Sequence, residues 1–333
     1  MTVRYISHNP SIGSSFWCAV VLVLPLLTPQ FVHAQTLPPA AAEQFQQVIG
    51  NRVEAITILG GDYGAAGGIY TVRGGSLKDI SFTKLGGSGV VASPRPLDMG
   101  DLKWAPVLIG NIGYSTAEDR FASGYLQGNS TSYRIFTLQA GGGARFYFTD
   151  CFSIAPAISG IYGHISNTFM PQNTVGEAVK AAASGTYVDW QIDTWSLDPS
   201  LELNYEYNWY RVTFAFSSRY NYFHTESFKS SSPVVGVSGD SQTWENKIDV
   251  DVPLGWKLLN QELHTGGFFS RTDIFGPAAA GLNTNYIYTL NGRFVLGFTK
   301  NMWHLRWIGL GYSQFLGDHS EGWTTGIDVR LEF

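Results

Sequence analysis

The chain closes on Trp323-Thr324-Thr325-Gly326-Ile327-Asp328-Val329-Arg330-Leu331-Glu332-Phe333. Taken two residues at a time, Trp323, Thr325, Ile327, Val329, Leu331 and Phe333 fall on one side, and Thr324, Gly326, Asp328, Arg330 and Glu332 on the other. A helix turns about 100° per residue and would mix these sets around its circumference, whereas an extended strand points successive side chains to opposite faces. The stretch reads as a strand with one face suited to an apolar medium and the other to water.

The same alternation recurs upstream. Ile248, Val250, Val252, Leu254, Trp256 and Leu258 alternate with Lys247, Asp249, Asp251 and Lys257; Leu201, Leu203, Tyr205, Tyr207 and Trp209 alternate with Glu202, Asn204, Glu206 and Asn208. Val212, Phe214, Phe216, Tyr220 and Tyr222 oppose Arg211, Thr213, Arg219 and Asn221, and Phe136, Leu138, Ala144, Phe146 and Phe148 oppose Thr137, Gln139 and Arg145. Strands are predicted over 68–73, 77–85, 102–116, 131–148, 151–165, 193–209, 210–228, 244–259, 262–275, 283–299, 303–317 and 323–333. The fold class is all-β: a closed antiparallel transmembrane β-barrel of about twelve strands.

Composition agrees. Charged residues make up 14% of the chain, well under the quarter usual in soluble domains, while aromatics reach 14% and glycines number 38. Mean hydropathy is only −0.02, and no segment after the N-terminal leader approaches the 18 unbroken apolar residues of a spanning helix. A net charge of −5 argues against nucleic acid as a partner. Arg4, the apolar run Phe16–Leu27 and Ala34 describe a secretory signal peptide over 1–34; an uncleaved anchor is the alternative. Cys18 lacks the small residues that precede a lipid-attachment cysteine, and after cleavage Cys151 alone remains, so an internal disulfide is excluded.

The connections and the aromatics test this reading independently. Outer-membrane barrels have short periplasmic turns and longer external loops. Counted back from the C-terminus, 300–302, 260–261, 209–210 and 149–150 are short, whereas 318–322, 276–282, 229–243, 166–192 and 117–130 are longer and rich in Gly, Ser, Asn and Pro. The link 86–101 breaks the rule. Trp104, Phe148, Phe152, Trp209, Tyr210, Trp256, Phe298, Trp303 and Phe333 fall at one set of strand ends, and Tyr114, Tyr133, Phe228, Trp244, Phe275, Tyr286, Phe315 and Trp323 near the other, as two interfacial girdles would. A secreted β-sandwich is the competing fold and has no reason to sort aromatics by height.

Residues 35–67 form a lead before a barrel domain over 68–333. After Leu37-Pro38-Pro39, the residues Phe45, Val48, Ile49, Val53, Ile56 and Leu59 approach helical spacing; Gly50 weakens it, and 53–59 also reads as a strand. Such a segment would sit inside the barrel or cap its periplasmic mouth. Gly60-Gly61-Asp62-Tyr63-Gly64 makes a hinge.

Together these parts resemble the translocator barrel of autotransporters. The terminal strand, with Gly326, Val329, Leu331 and Phe333, looks like the C-terminal signal that the barrel-assembly machinery reads. Only about thirty residues separate Ala34 from the first strand, so no long passenger is expected, and the chain resembles the solitary outer-membrane autotransporter-type barrels, to which Arg52-Val53-Glu54-Ala55 also fits. The resemblance implies the Gram-negative outer membrane, with its lipid and the assembly machinery as partners.

Sites of chemistry are harder to find. Gly87-Ser88-Gly89-Val90-Val91-Ala92 has dinucleotide-binding spacing, but Ser93-Pro94-Arg95-Pro96 forbids the helix that motif needs. Asp318-His319-Ser320-Glu321 holds hydrolase residue types, yet four neighbours in one tight loop cannot align as a relay. His164, His224, His264 and His304 lie on different strands without zinc-ligand spacing. No cofactor, metal or catalytic residue is predicted. The lumen should carry Arg145, Glu202, Glu206, Arg211, Arg219, Asp249, Asp251, Asp328 and Arg330, together with Lys247, Lys257, Arg293, Arg306 and Glu332, either as a conducting pore or as mutually paired charges in a filled core. The expected function is a non-enzymatic outer-membrane barrel, structural or a narrow channel; an outer-membrane lipid hydrolase or protease, or an adhesin acting through its loops, is the alternative.

Overall fold

The structure is a computed structural model and describes residues 47, 50–51, 53–55, 66–72, 80–92, 97–100, 102–120, 127–298 and 305–331. Its strands are β1 (Ala66–Val72), β2 (Ile80–Ala92), β3 (Leu97–Met99), β4 (Leu102–Arg120), β5 (Ser130–Tyr147), β6 (Phe152–Met170), β7 (Gln191–Trp209), β8 (Val212–Ser230), β9 (Ser238–Leu258), β10 (Gln261–Phe275), β11 (Tyr286–Gly297), β12 (Leu305–Gly317) and β13 (Ser320–Leu331). From β3 to β13 sequential neighbours pair antiparallel, β1 pairs with both β2 and β13, and β2 pairs with β4, so the sheet closes on itself. The short β3 meets β4 at Leu102–Trp104, beyond the point where Ala92 pairs with Val107. It prolongs the lane of β2, and the wall is twelve strands around. Closure satisfies every wall strand on both sides, which an apolar medium demands.

Alternation sorts the wall as the sequence requires. On β5, Tyr133, Ile135, Thr137 and Gln139 are buried while Phe136 and Leu138 are exposed outward. On β7, Thr194, Ser196 and Asp198 are buried and Leu197, Leu201, Tyr205 and Tyr207 exposed. Exposed aromatics stand at both rims, Phe148, Trp209, Tyr210 and Trp256 at the end with tight turns and Tyr114, Phe228, Trp244, Phe275 and Trp323 at the end with loops, and others such as Tyr220 and Phe269 lie on the belt between them. The two ends are called the turn end and the loop end below.

Three expectations need correction. Strands run further toward the loop end than predicted; β9 begins at Ser238 and β4 continues to Arg120, because their upper ladders are held by neighbouring strands and inward-folded loops rather than by lipid. The irregular link 86–101 is mostly β2 and β3, so its glycines at 86–89 are strand positions facing Gly110–Gly113 across the ladder. Tyr133 and Phe315 are not girdle residues. Tyr133 is buried inside the barrel, and Phe315 stands on the same side of β12 as buried Ser313; height along a strand does not fix the face. Residues 1–34, Trp303, His304, Glu332 and Phe333 lie outside the described residues.

Candidate functional site: the closed lumen

The described part of the N-terminal lead (residues 47, 50, 51 and 53–55) is helical, and it sits in the loop-end mouth of the barrel. Val53 is buried among Ala117, Tyr133, Ile135, Ile165, Trp190, Ile192, Val235 and Val237. Ala55 is buried among Ile161, Phe223, Ile274, Ala278, Ala279 and Leu282. The apolar residues that the wall turns inward near this end therefore pack on the helix rather than on water. Of the two placements expected for this segment, inside the barrel or across one mouth, the described residues take the first, at the loop end.

Loops fold in to hold it. Helix α1 (Thr174–Ala183) follows β6; Asn173 caps it, accepting from the Gly176 N–H at 2.8 Å, and Lys180 Nζ donates to the Phe169 carbonyl at 3.0 Å. Asp189 accepts from the Phe169 N–H at 2.8 Å and from Ser184 Oγ at 2.9 Å, which seats Trp190, fully buried, 6.1 Å from the Tyr133 ring. Helix α2 (Pro277–Leu282) follows β10 and starts after Gly276 at φ 81°. Gly281 lies so close to the Asn51 carbonyl and Ala55 that no side chain fits there, and the Glu54 carboxylate covers Gly239 in the same way. Glu54 is buried with one carboxylate oxygen unpartnered. Burial holds its carboxyl above the ordinary range, against a hydrogen bond from Ser241 and with added repulsion from Asp240.

The turn-end half of the lumen is ionic. Arg293 grips Asp249 through two hydrogen bonds of 2.6 and 2.8 Å and stacks over Trp307. Asp251 binds His264 Nδ1 at 2.8 Å, and Arg145 reaches Glu202 at 3.2 Å. Lys247 lies 5.5 Å from the Phe268 ring. At mid-height, Asp198 accepts from Ser159 Oγ at 2.9 Å and from Gln139 at 3.4 Å, while Arg219 donates to Asn221 at 3.0 Å and reaches Ser200 at 3.5 Å. Glu206 is half-buried on the lumen side of β7.

Arg211 departs from expectation. It lies in the turn Tyr210–Arg211, outside any strand, because Tyr210 takes φ 52° and β8 starts only at Val212. It is exposed at the rim and pairs with Glu262. Asp328 and Arg330 occupy the register positions opposite Gly309 and Trp307, while Val329 faces Ile308, Leu331 faces Leu305 and Gly326 faces Gly311. Sequence reasoning missed Trp190, in the loop just before β7, and His264 on β10 as lumen elements; a single His or Trp carries no signal of its partner.

The described strands thus form a closed antiparallel barrel with a helical N-terminal segment in its lumen. Residues 94–326 match the family described as the solitary outer membrane autotransporter beta-barrel domain, and the chain belongs to that family. Among solved structures, the transport unit of the autotransporter AIDA-I from Escherichia coli superposes with a TM-score of 0.54 at 9% identity, covering 85% of this chain and 99% of that one. The translocator domain of the autotransporter NalP from Neisseria meningitidis gives a TM-score of 0.53 at 10% identity, covering 88% and 96%. The beta domain of the Bordetella autotransporter BrkA gives 0.50 at 13%, covering 81% and 100%. At these identities the likeness is one of fold. No curated protein matches the chain.

Proposed function

We propose that this protein is a Gram-negative outer-membrane barrel that stands closed, as a structural shell or a narrow gated channel without an enzymatic lumen. Its loop end faces outward and its turn end the periplasm. The observation that carries this reading is the burial of Val53, Glu54 and Ala55 among inward side chains of β4, β5, β6, β8 and β10 and the loops after β8 and β10. In the same reading residues 1–34 direct export and are removed, the lipid of the membrane covers the apolar belt, and the assembly machinery receives the strand carrying Gly326, Val329, Leu331 and Phe333. The lumen charges pair with one another below the plug, which favours a filled interior over a wide pore.

Planar-bilayer conductance of the purified barrel, with and without residues 35–60, tests this. A silent full-length barrel and a conducting truncated one are expected. Silence in both forms rejects the channel version, and steady conductance of the full-length protein rejects the plug.

A further inference from the structure

On the outward face, three strands bring together side chains that no loop motif announced. His164 on β6 pairs in register with Asp193 on β7, and its Nδ1 bonds Asp193 Oδ1 at 2.6 Å. The same carboxylate oxygen accepts from the Tyr162 hydroxyl at 3.0 Å. Asp193 therefore fixes both the orientation of the imidazole and its tautomer, leaving Nε2 as the basic nitrogen. The next outward residue of β6 is Ser166, two positions along one face and about 7 Å away between Cα atoms. Ser166 is flanked in register by Arg134 of β5 and Gln191 of β7, both exposed. Among the described residues Arg134 has no ion-pair partner. Directly opposed pairs place Cβ atoms about 5 Å apart, so a guanidinium-bearing and a carboxamide-bearing side chain, both donors, spring from either side of Ser166.

The surroundings fit such a role. The register of β7 against β8 slips between Asp193 and Thr194, the kind of bulge that re-aims a side chain. Tyr162 and Phe228 lie 6.3 Å apart just below, at the height of the loop-end aromatic rim, where acyl chains give way to headgroups. Water and ester carbonyls meet at that level.

We propose that His164, Asp193 and Ser166, with Arg134 and Gln191, form an acyl-ester hydrolase site on the outer wall, acting on fatty-acyl esters of outer-leaflet amphiphiles. This goes beyond the closed-barrel reading and does not depend on the state of the lumen. Ser166 Oγ attacks the ester carbonyl carbon as its proton passes to His164 Nε2. The resulting oxyanion is held by Arg134 and Gln191. Collapse breaks the acyl C–O bond, and His164 returns the proton to the departing alcohol. Water, deprotonated by His164, then attacks acyl-Ser166, releasing the fatty acid and regenerating the hydroxyl. Ester and water become acid and alcohol, with no other reactant. Asp193 is a positioning residue.

The test uses the full chain, with folding verified by heat-modifiable gel mobility, in vesicles of dioleoyl phosphatidylethanolamine and phosphatidylglycerol and, in a parallel arm, with lipid A added. Fatty-acid release and covalent labelling by a fluorophosphonate probe are measured. Release in the phospholipid arm or only with lipid A identifies the source of the ester. Label on Ser166 by mass spectrometry is expected, with loss of labelling in Ser166→Ala. Turnover should fall about 100-fold or more in His164→Asn, and Asp193→Asn should lower kcat and displace the acidic limb of the pH–rate profile. Absence of both release and labelling in folded wild type overturns the proposal, as does undiminished turnover in folded Ser166→Ala.

Discussion

The two halves of the lumen are built from one alternating wall yet filled by opposite chemistry. At the loop end, inward positions carry Ile135, Ile161, Ile165, Ile192 and Phe223, and a helical segment with two chain-remote loops packs against them. At the turn end, inward positions carry Arg145, Glu202, Asp249, Asp251, His264 and Arg293, which pair with one another. A strand's period dictates which side chains point inward but not what meets them there. An apolar inward residue requires a packing partner, and a charged one requires a countercharge or water. The loop end is thereby specified to be stoppered, and the turn end to remain polar.

Changes that sever this contrast rank by how much they leave unpartnered. Trp190→Ala empties the fully buried centre of the loop-end cluster and is expected to cost about 3–5 kcal/mol, measured as a lower urea midpoint in lipid vesicles. Arg293→Ala strands Asp249; with Asp249 still partly hydrated, the loss should lie near the lower end of the roughly 3–5 kcal/mol for breaking a buried pair. Double mutation with Asp249→Ala should recover part of it, and an additive double mutant would refute the pairing. Gly281→Val forces a side chain against Asn51 and Ala55 and should cost about 1–3 kcal/mol, read mainly as conductance from plug release rather than as loss of the folded barrel.

Glu54 sharpens the comparison by pH. Its folded carboxyl titrates above the ordinary carboxylate range because it is buried. The docked plug thus holds more protons than the released one between those two values. Docking is strongest below the ordinary value and weakens as pH rises through the raised one, so residual conductance should increase from acid toward neutral pH. Glu54→Gln should flatten that slope. The smallest effect belongs to Arg211→Ala: its pair with Glu262 is exposed at the rim, and a stability change under about 1 kcal/mol is expected. A larger loss would place Arg211 inside the lumen after all.

Much of the architecture was legible beforehand. The alternations around Phe136, Tyr205, Phe214 and Ile248 fixed strand identity and face, since the period of a strand is local to the chain. The wall number of twelve follows from the same count once β3 is seen as an extension of β2. Less legible were the strand ends, where ladders continue above the apolar belt, and Arg211, displaced by a turn at Tyr210. The sites were legible least. His164 and Asp193 lie 29 residues apart, and nothing near either residue names the other. His264 and Asp251 pair across β9 and β10 only because the register slips between Glu262 and His264.

By itself the sequence determined that this chain is a wall: side-chain direction along a strand depends on neighbours one bond away, so oil-facing and water-facing residues can be read off in order. Closure of that wall, burial of Val53 and Ala55 in one mouth, and the meeting of His164 and Asp193 on its outside were decided only in three dimensions. Each depends on the register between strands and on loops returning over the barrel, which are set by the sum of all pairings and not by any stretch of chain.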